Sequence, residues 1–365
     1  MMSQKENQTI QFKVRQMNQK DIPEVLEIWA SNNLHEGTHT IESFMQQDPE
    51  GFFVAIEIDS NDICDDLNVD GEIDAKKSHK NKKIIVDLTE RFKNMNPFEN
   101  CKRKKPTINA DIYKEKRVLG MCAGVFVHPT IAFIGLYAVK PELHGLGIGT
   151  SMWNKMMEHI GSLNAGLYAV PEHMKMYRDR AGFRYDDERH LFIYESDRED
   201  ELNLDILVPS IRDTEISTIT AESLPKIIEY DSNIHGYVRA KLLSNVIREK
   251  DTASLMAIDI SSQTVLGYGC IRTNNIGKAM IGPLYADNDA IAELLMRNLF
   301  NNLAGPMSSG LLYMTLDSNP GGERIAEKIG MKKHEEISRL FLHKPTLNVD
   351  WNRVFCIHSP NFSLL

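Results

Sequence analysis

Residues 134–150 read Ile134-Gly135-Leu136-Tyr137-Ala138-Val139-Lys140-Pro141-Glu142-Leu143-His144-Gly145-Leu146-Gly147-Ile148-Gly149-Thr150. The apolar run through Val139 predicts a strand over Ile131–Val139. Glycines then occupy every second position, at Gly145, Gly147 and Gly149. A helical pattern follows to about Ile160, with Met152, Trp153, Met156, Met157 and Ile160 on its apolar side. Free backbone N–H groups at a helix start make an anion site, and the helix dipole strengthens it. Glycine lets such a backbone approach a pyrophosphate. A glycine-rich turn without a ligand is the plainer alternative. A dinucleotide fold could use a similar loop, but it needs a βαβ unit and an acidic residue roughly 20 positions on. Here hairpin strands precede the loop.

Upstream, Val118–Val127 forms the other arm of that hairpin, with the turn at Pro129-Thr130. Gln11–Arg15 and Gly51–Ile58 read as strands. Between them a helix starts at an N-cap, Asp21, and runs to Trp29, and a second covers Ile41–Gln47. Downstream come a strand at Leu167–Val170, a helix over Met174–Arg180 ending at Gly182, and a strand from Leu191 to Tyr194. Residues 1–9 are polar and expected to be disordered. Residues 59–116 are dense in Asp, Asn and Lys and read as a disordered insertion, with room for a short helix over Ile84–Met95.

The second part of the chain repeats the first. Val118-Leu119-Gly120 recurs as Val265-Leu266-Gly267, and Ile134-Gly135-Leu136-Tyr137-Ala138 as Ile281-Gly282-Pro283-Leu284-Tyr285-Ala286. Ala181-Gly182-Phe183 through Phe192 recurs as Ile329-Gly330-Met331 through Phe341. So long a period indicates duplication of a whole domain, since solenoid repeats are far shorter. The expected division is an N-terminal domain over 10–196, a linker over 197–207, a second domain over 208–346 and a tail over 347–365.

The loop resembles that of the GNAT acetyltransferase superfamily, written Gln/Arg-x-x-Gly-x-Gly/Ala, with His144 in the first slot. The stretch Leu136–Glu142 is similar to the family's Leu-x-Val-x-Pro-Glu run. The element order from 10 to 195 matches that fold. The resemblance implies an α/β (α+β) fold of two tandem GNAT-like domains, each a mixed, mostly antiparallel sheet flanked by helices. It implies that Leu136 and Val139 contact the pantetheine arm of acetyl-coenzyme A (acetyl-CoA). His144, Gly145, Leu146, Gly147, Ile148, Gly149 and Thr150 would form its pyrophosphate loop. Asp231–Arg239 with Leu266–Gly269 and Ile281–Ala286 resembles the degenerate C-terminal domain of tandem GNAT proteins. After Ala286 the glycine loop is missing. Asp231, Arg239 and Tyr285 are then either scaffold or contacts to the acceptor.

The implied reaction is direct attack of an amine on the thioester in a ternary complex, in a substrate cleft between the two halves. The family's acid is a tyrosine in a Tyr-x-x-x-Gly-Phe pattern. Tyr177 is the counterpart here, with one extra residue before Gly182-Phe183. One residue is roughly 100° of helix rotation. A base, whether side chain or water relay, is not evident from the sequence. The acceptor is a small-molecule or protein amine. The alternatives are a coenzyme A-binding regulator or scaffold without turnover, and a transferase of another acyl group.

Other features weigh less. The 365 residues include 42 Lys+Arg and 51 Asp+Glu, a net charge of -9, which disfavours nucleic-acid binding. No apolar run is long enough for a membrane span, and no signal peptide is evident. The scattered Cys64, Cys101, Cys122, Cys270 and Cys356 read as reduced thiols, with no metal site. The expected location is cytoplasmic, with a nuclear-import candidate at Cys101–Pro106. Asp66–Lys77 imitates a calcium loop but lacks its final glutamate, and reads as a chance match. His35 and His39 read as solvent residues.

Overall fold

The computed structural model describes residues 10–32, 34, 36–58, 71–73, 117–305, 307 and 309–362. The candidate import patch, the helix over 84–95, His35 and residues 1–9 lie outside these, as does the calcium-loop match except for 71–73.

The first half contains β1 (Ile10–Gln16), α1 (Ile22–Ser31), α2 (Thr40–Gln47), β2 (Phe52–Ile58), β3 (Gly71–Ile73), β4 (Val118–His128), β5 (Ile131–Val139), α3 (Ile148–Ile160), β6 (Asn164–Ala169), α4 (Pro171–Asp179) and β7 (Tyr185–Glu195). The second half has β8 (Thr214–Thr218), α5 (Leu224–His235), α6 (Ala240–Ile247), β9 (Ala253–Asp259), β10 (Val265–Thr273), β11 (Ala279–Ala286), α7 (Asp289–Asn301), β12 (Leu311–Leu316), α8 (Pro320–Lys328), β13 (Lys332–Phe341) and β14 (Val354–Cys356). Two sequence expectations need correction here. Asp21 does not cap α1. It pairs with Arg15, while Asn18 caps the preceding short turn. Gly71–Ile73, inside the segment read as disordered, is an edge strand beside β1 at Ile10–Phe12.

The strands form one sheet in the order β3-β1-β2-β4-β5-β6-β13-β7-β12-β11-β10-β9-β8, with β14 added on β11. Pairing is antiparallel except for β5–β6 and β11–β12. The two halves exchange their last long strands. β13 of the second half pairs with β6 of the first, and β7 of the first pairs with β12 of the second. The sheet is therefore not divided at 197–207. Because the halves are repeats, each exchanged strand meets a neighbour similar to the one it left.

The exchange is tied by a buried ion pair. Arg339 on β13 donates to the Asp187 carboxylate on β7, and Arg189 binds the other oxygen. Helices cover both faces. α1 and α2 share a core with Phe52, Phe133, Leu242 and Val246, while α3 packs Met152, Trp153 and Met156 against the opposite face. No helix among the described residues is long and apolar enough to cross a membrane.

Candidate functional site

The first half's site begins where β5 leaves β6. The two strands pair only from Ile131–Ile134 to Asn164–Leu167. Leu136 then adopts φ 49°, and the β4–β5 register shifts between Met121 and Ala123. This bulge turns Gly135–Val139 away from β6 and opens the sheet. Beyond Val139 the chain makes one turn over Pro141–Leu143 and enters the glycine loop.

Gly145 and Gly147 have φ 81° and 86°, and beyond their chain neighbours no atom of the described residues lies within 4 Å of where their Cβ atoms would stand. Left-handed backbone is what glycine accepts without penalty. Gly147 is the N-cap of α3, and no side chain caps it. The Ile148 and Gly149 amides at the start of α3 therefore have no intrahelical carbonyl. Ile148 is buried and anchors the loop in the core, and Gly149 packs against the Tyr137 hydroxyl. This geometry fits a phosphate group, and the open space at both glycines is where such a group would lie. His144 does not point into that space. Its Nε2–H donates to the Val139 carbonyl at 2.8 Å, pinning the loop to the strand end.

Tyr177 lies on α4, with its ring 6.1 Å from Trp153 and 6.4 Å from Phe183. Burial pushes its hydroxyl up to about 12, so it stays protonated at neutral pH. Burial, and Tyr177 nearby, likewise raise Tyr137. Tyr177 and the glycine loop thus both adjoin α3, at Trp153 and at its N-cap Gly147, and β5 carries no carboxylate.

The second half differs at each of these points. Its helix α7 is capped by its own Asn288 side chain, which accepts from Ile291 N–H at 3.1 Å, and its first turn carries Asp289. An acidic, self-capped helix start repels anions. Its splay is filled as well. β14 pairs with Leu284 and Tyr285 of β11, Tyr313 Oη donates to the Phe355 carbonyl, and Ile357 N–H donates to the Met314 carbonyl. The chain supplies its own strand there, whereas among the described residues no strand pairs with β5 beyond Ile134 on its β6 side.

Asp231, Arg239 and Tyr285 are brought together, but in the interior. Arg239 binds both carboxylate oxygens of Asp231 at 2.8 and 2.7 Å and lies 3.4 Å from Tyr285 Oη. Tyr268 donates to the same carboxylate, and His235 stands 3.4 Å away. Burial, with Arg239 adding to it, lowers His235 to about 3. Arg239 and Tyr268 satisfy the Asp231 carboxylate, while His235 Nε2 has no hydrogen-bond partner among the described residues. Tyr237 next to them donates to the Val127 carbonyl at 2.7 Å and ties the halves together. A cleft of about 640 Å³ between the halves is lined by Asp187, Arg189, Asp317 and Trp351, whereas the space beside Tyr237 is reduced to a cavity of about 10 Å³ lined by Phe44, Val127, Tyr237 and Phe362.

What fills that space is the segment after β14. Its backbone crosses the two equivalent glycines of the repeat. A methyl at Gly282 would meet the Ile357 carbonyl oxygen at 2.2 Å, and one at Gly135 the Asn361 carbonyl oxygen at 2.0 Å. Phe362 is fully buried against Phe44 and Phe52, at 4.7 and 5.6 Å between rings. Ser359 and Asn361 donate to Glu36, a buried carboxylate in the α1–α2 connection. Sequence reasoning missed Glu36 and this segment. The repeated glycines were visible, but not what crosses them. His39 sits 3.4 Å from Asp251, half-buried at the edge.

Two family profiles match the chain: "Acetyltransferase (GNAT) family" over residues 78–183 and "Acetyltransferase (GNAT) domain" over 227–356. The chain belongs to the GNAT superfamily. It is a tandem GNAT protein, and solved structures agree in fold. One is a tandem GNAT protein from the clavulanic acid biosynthesis pathway, with TM-score 0.57, 10% identity and coverage of 92% of this chain and 100% of that one. Another is an acetyltransferase candidate from Pyrococcus horikoshii, with TM-score 0.62, 16% identity and coverage of 96% and 95%. Among curated proteins, holothin acyltransferase of Pseudoalteromonas sp. (strain SANK 73390) is 28% identical over 166 residues, 45% of this chain and 51% of that protein. An uncharacterised Caenorhabditis elegans protein is 23% identical over 181 residues, 46% of this chain and 54% of that protein. The chain thus matches about half the length of these curated relatives.

Proposed function

We propose that the first half of this tandem GNAT protein binds acetyl-CoA and transfers its acetyl group to an amine, while the second half serves as scaffold. One observation carries the reading. The uncapped α3 start, with its two left-handed glycines, adjoins an open β5–β6 splay, whereas the second half has both features closed by its own residues. Amides at Leu146–Thr150 would hold the pyrophosphate, and Leu136–Val139 would line the thioester arm. The Val139 carbonyl is already engaged by His144, so its part in binding requires that this hydrogen bond open or be shared.

In the transfer, the amine nitrogen bonds to the thioester carbon, the carbon–sulfur bond breaks and the amine loses a proton. Tyr177, protonated at neutral pH, would give a proton to the departing sulfur. A coenzyme A-binding scaffold without turnover is the second reading, supported by the filled space beside Tyr237. A turnover screen of acetyl-CoA against polyamines, amino acids and protein amines separates the two. Transfer to some amine supports the enzyme. Tight acetyl-CoA binding without turnover on any of them supports the scaffold.

A further inference from the structure

We propose that Glu36 is the position that receives the acceptor amine, and that Ser359–Phe362 holds it shut until an acceptor displaces them. The proposal rests on the acetyltransferase reading above and adds the acceptor's location to it.

Glu36 is completely buried between the halves. Its Oε1 accepts from the Gly37 amide at 2.8 Å. Its Oε2 accepts from Ser359 Oγ at 2.6 Å and from Asn361 Nδ2 at 2.8 Å. Two donors converging on one carboxylate oxygen are what a primary ammonium also offers. The site abuts the reacting region. Asn361, which makes one of these bonds, rests its carbonyl on Gly135, and Gly135 precedes the bulge at Leu136. It lies on the α1–α2 face, opposite the α3 face that carries the glycine loop. An acceptor at Glu36 and a thioester in the splay would therefore approach the same strand from two sides.

Glu36 shares its surroundings with a second carboxylate, Glu249, and one guanidinium, Arg272. Glu249 lies 3.6 Å from Arg272, and His358 stands 3.4 Å from Glu249. Burial, with Arg272 adding to it, lowers His358 to about 4, so it is neutral. Two carboxylates then face one guanidinium. Burial raises Glu36 above the usual carboxylate range, against the opposing pull of the Arg272 charge and of its three hydrogen bonds. Asn274 Nδ2 is buried beside them with no hydrogen-bond partner among the described residues, so the closed cluster is not fully satisfied. The segment itself is held to Glu36 by two side-chain hydrogen bonds and anchored by one aromatic ring, Phe362, whose removal would leave a hydrophobic slot beside Phe44.

The test uses the full chain with acetyl-CoA, benzylamine as the probe amine, and release of the free thiol as the readout. Ser359→Ala/Asn361→Ala removes both latch donors and keeps the Phe362 anchor. Phe362→Leu loosens the anchor and keeps apolar packing. In each, thiol release with benzylamine should rise about ten-fold over the wild type, because the open form is no longer a minor population. Acetyl-CoA affinity by calorimetry should not change. Adding Glu36→Gln to the double variant should raise the benzylamine KM about ten-fold.

Rates equal to wild type in both latch variants, an unchanged KM with Glu36→Gln, or loss of cooperative unfolding in both latch variants would each overturn the proposal. Failure of the wild-type chain to bind acetyl-CoA would instead overturn the acetyltransferase reading, and this inference with it.

Discussion

Gly135→Ala probes the crossing of β5 by the segment after β14. The added methyl would lie 2.0 Å from the Asn361 carbonyl oxygen, 2.6 Å from its carbonyl carbon and 2.7 Å from its Cα. All three are backbone atoms, so no rotamer change relieves the contact. Separation must grow by more than 1 Å, and the overpacking cost is about 1–3 kcal/mol. That cost is capped by releasing the segment, which gives up the burial of Phe362 at about 1.5–3 kcal/mol and two hydrogen bonds to Glu36. In a chain ending at Ile357 the same substitution meets no such atoms. There alanine in a strand should be better than glycine by about 0.5–1 kcal/mol. The cycle therefore predicts a change of sign between the two backgrounds. Urea unfolding followed by tryptophan fluorescence measures all four corners. Equal cost in both backgrounds, or no cost in the full chain, would refute the described crossing.

Other predictions follow from the buried groups. His235 and His358 are depressed to about 3 and about 4 from 6.5. The unfolded chain therefore binds more protons below pH 6.5, and stability is present above that value and lost as pH falls toward 4. Each histidine contributes a slope of about 1.4 kcal/mol per pH unit in that window, and His358→Asn should flatten the profile measured by urea midpoints. Asp231→Asn leaves Arg239 buried without its partner and should cost about 3–5 kcal/mol; a raised acceptor KM with unchanged stability would instead make Asp231 a substrate contact. Tyr177→Phe should lower kcat by about 10²-fold with acetyl-CoA affinity intact if the hydroxyl protonates the leaving sulfur. An unchanged kcat in steady-state assays would make it a packing tyrosine.

Much of the first half's site could be read from residue order. The spacing of Gly145, Gly147 and Gly149 before an apolar helical pattern defines an N-terminus with open amides, and α3 begins at Ile148 as that pattern requires. The repeat and the lost loop after Ala286 identified the second half as degenerate, and Asn288 supplies the physical form of that loss. The strand exchange was not legible. Alternation in Tyr185–Glu195 and Lys332–Phe341 specifies a strand and its buried face, but two similar halves offer similar partners. Val354-Phe355-Cys356 is too short to announce a strand. Its pairing follows from a vacant edge on β11 that only the folded sheet reveals. Glu36 carries no local signal, since a single glutamate in a loop looks like solvent dressing until two distant donors meet it.

The proposed function requires that one half keep a working acyl-carrier site and that the other have closed its own. Calorimetric titration of the intact chain with acetyl-CoA measures this directly, with Gly147→Glu as the paired variant. That substitution fills open space at the cradle without striking a neighbour, at about 1 kcal/mol of backbone strain. The account predicts one acetyl-CoA per chain, and no binding in a Gly147→Glu chain that retains cooperative unfolding. Two sites per chain, or one site unaffected by Gly147→Glu, would contradict it.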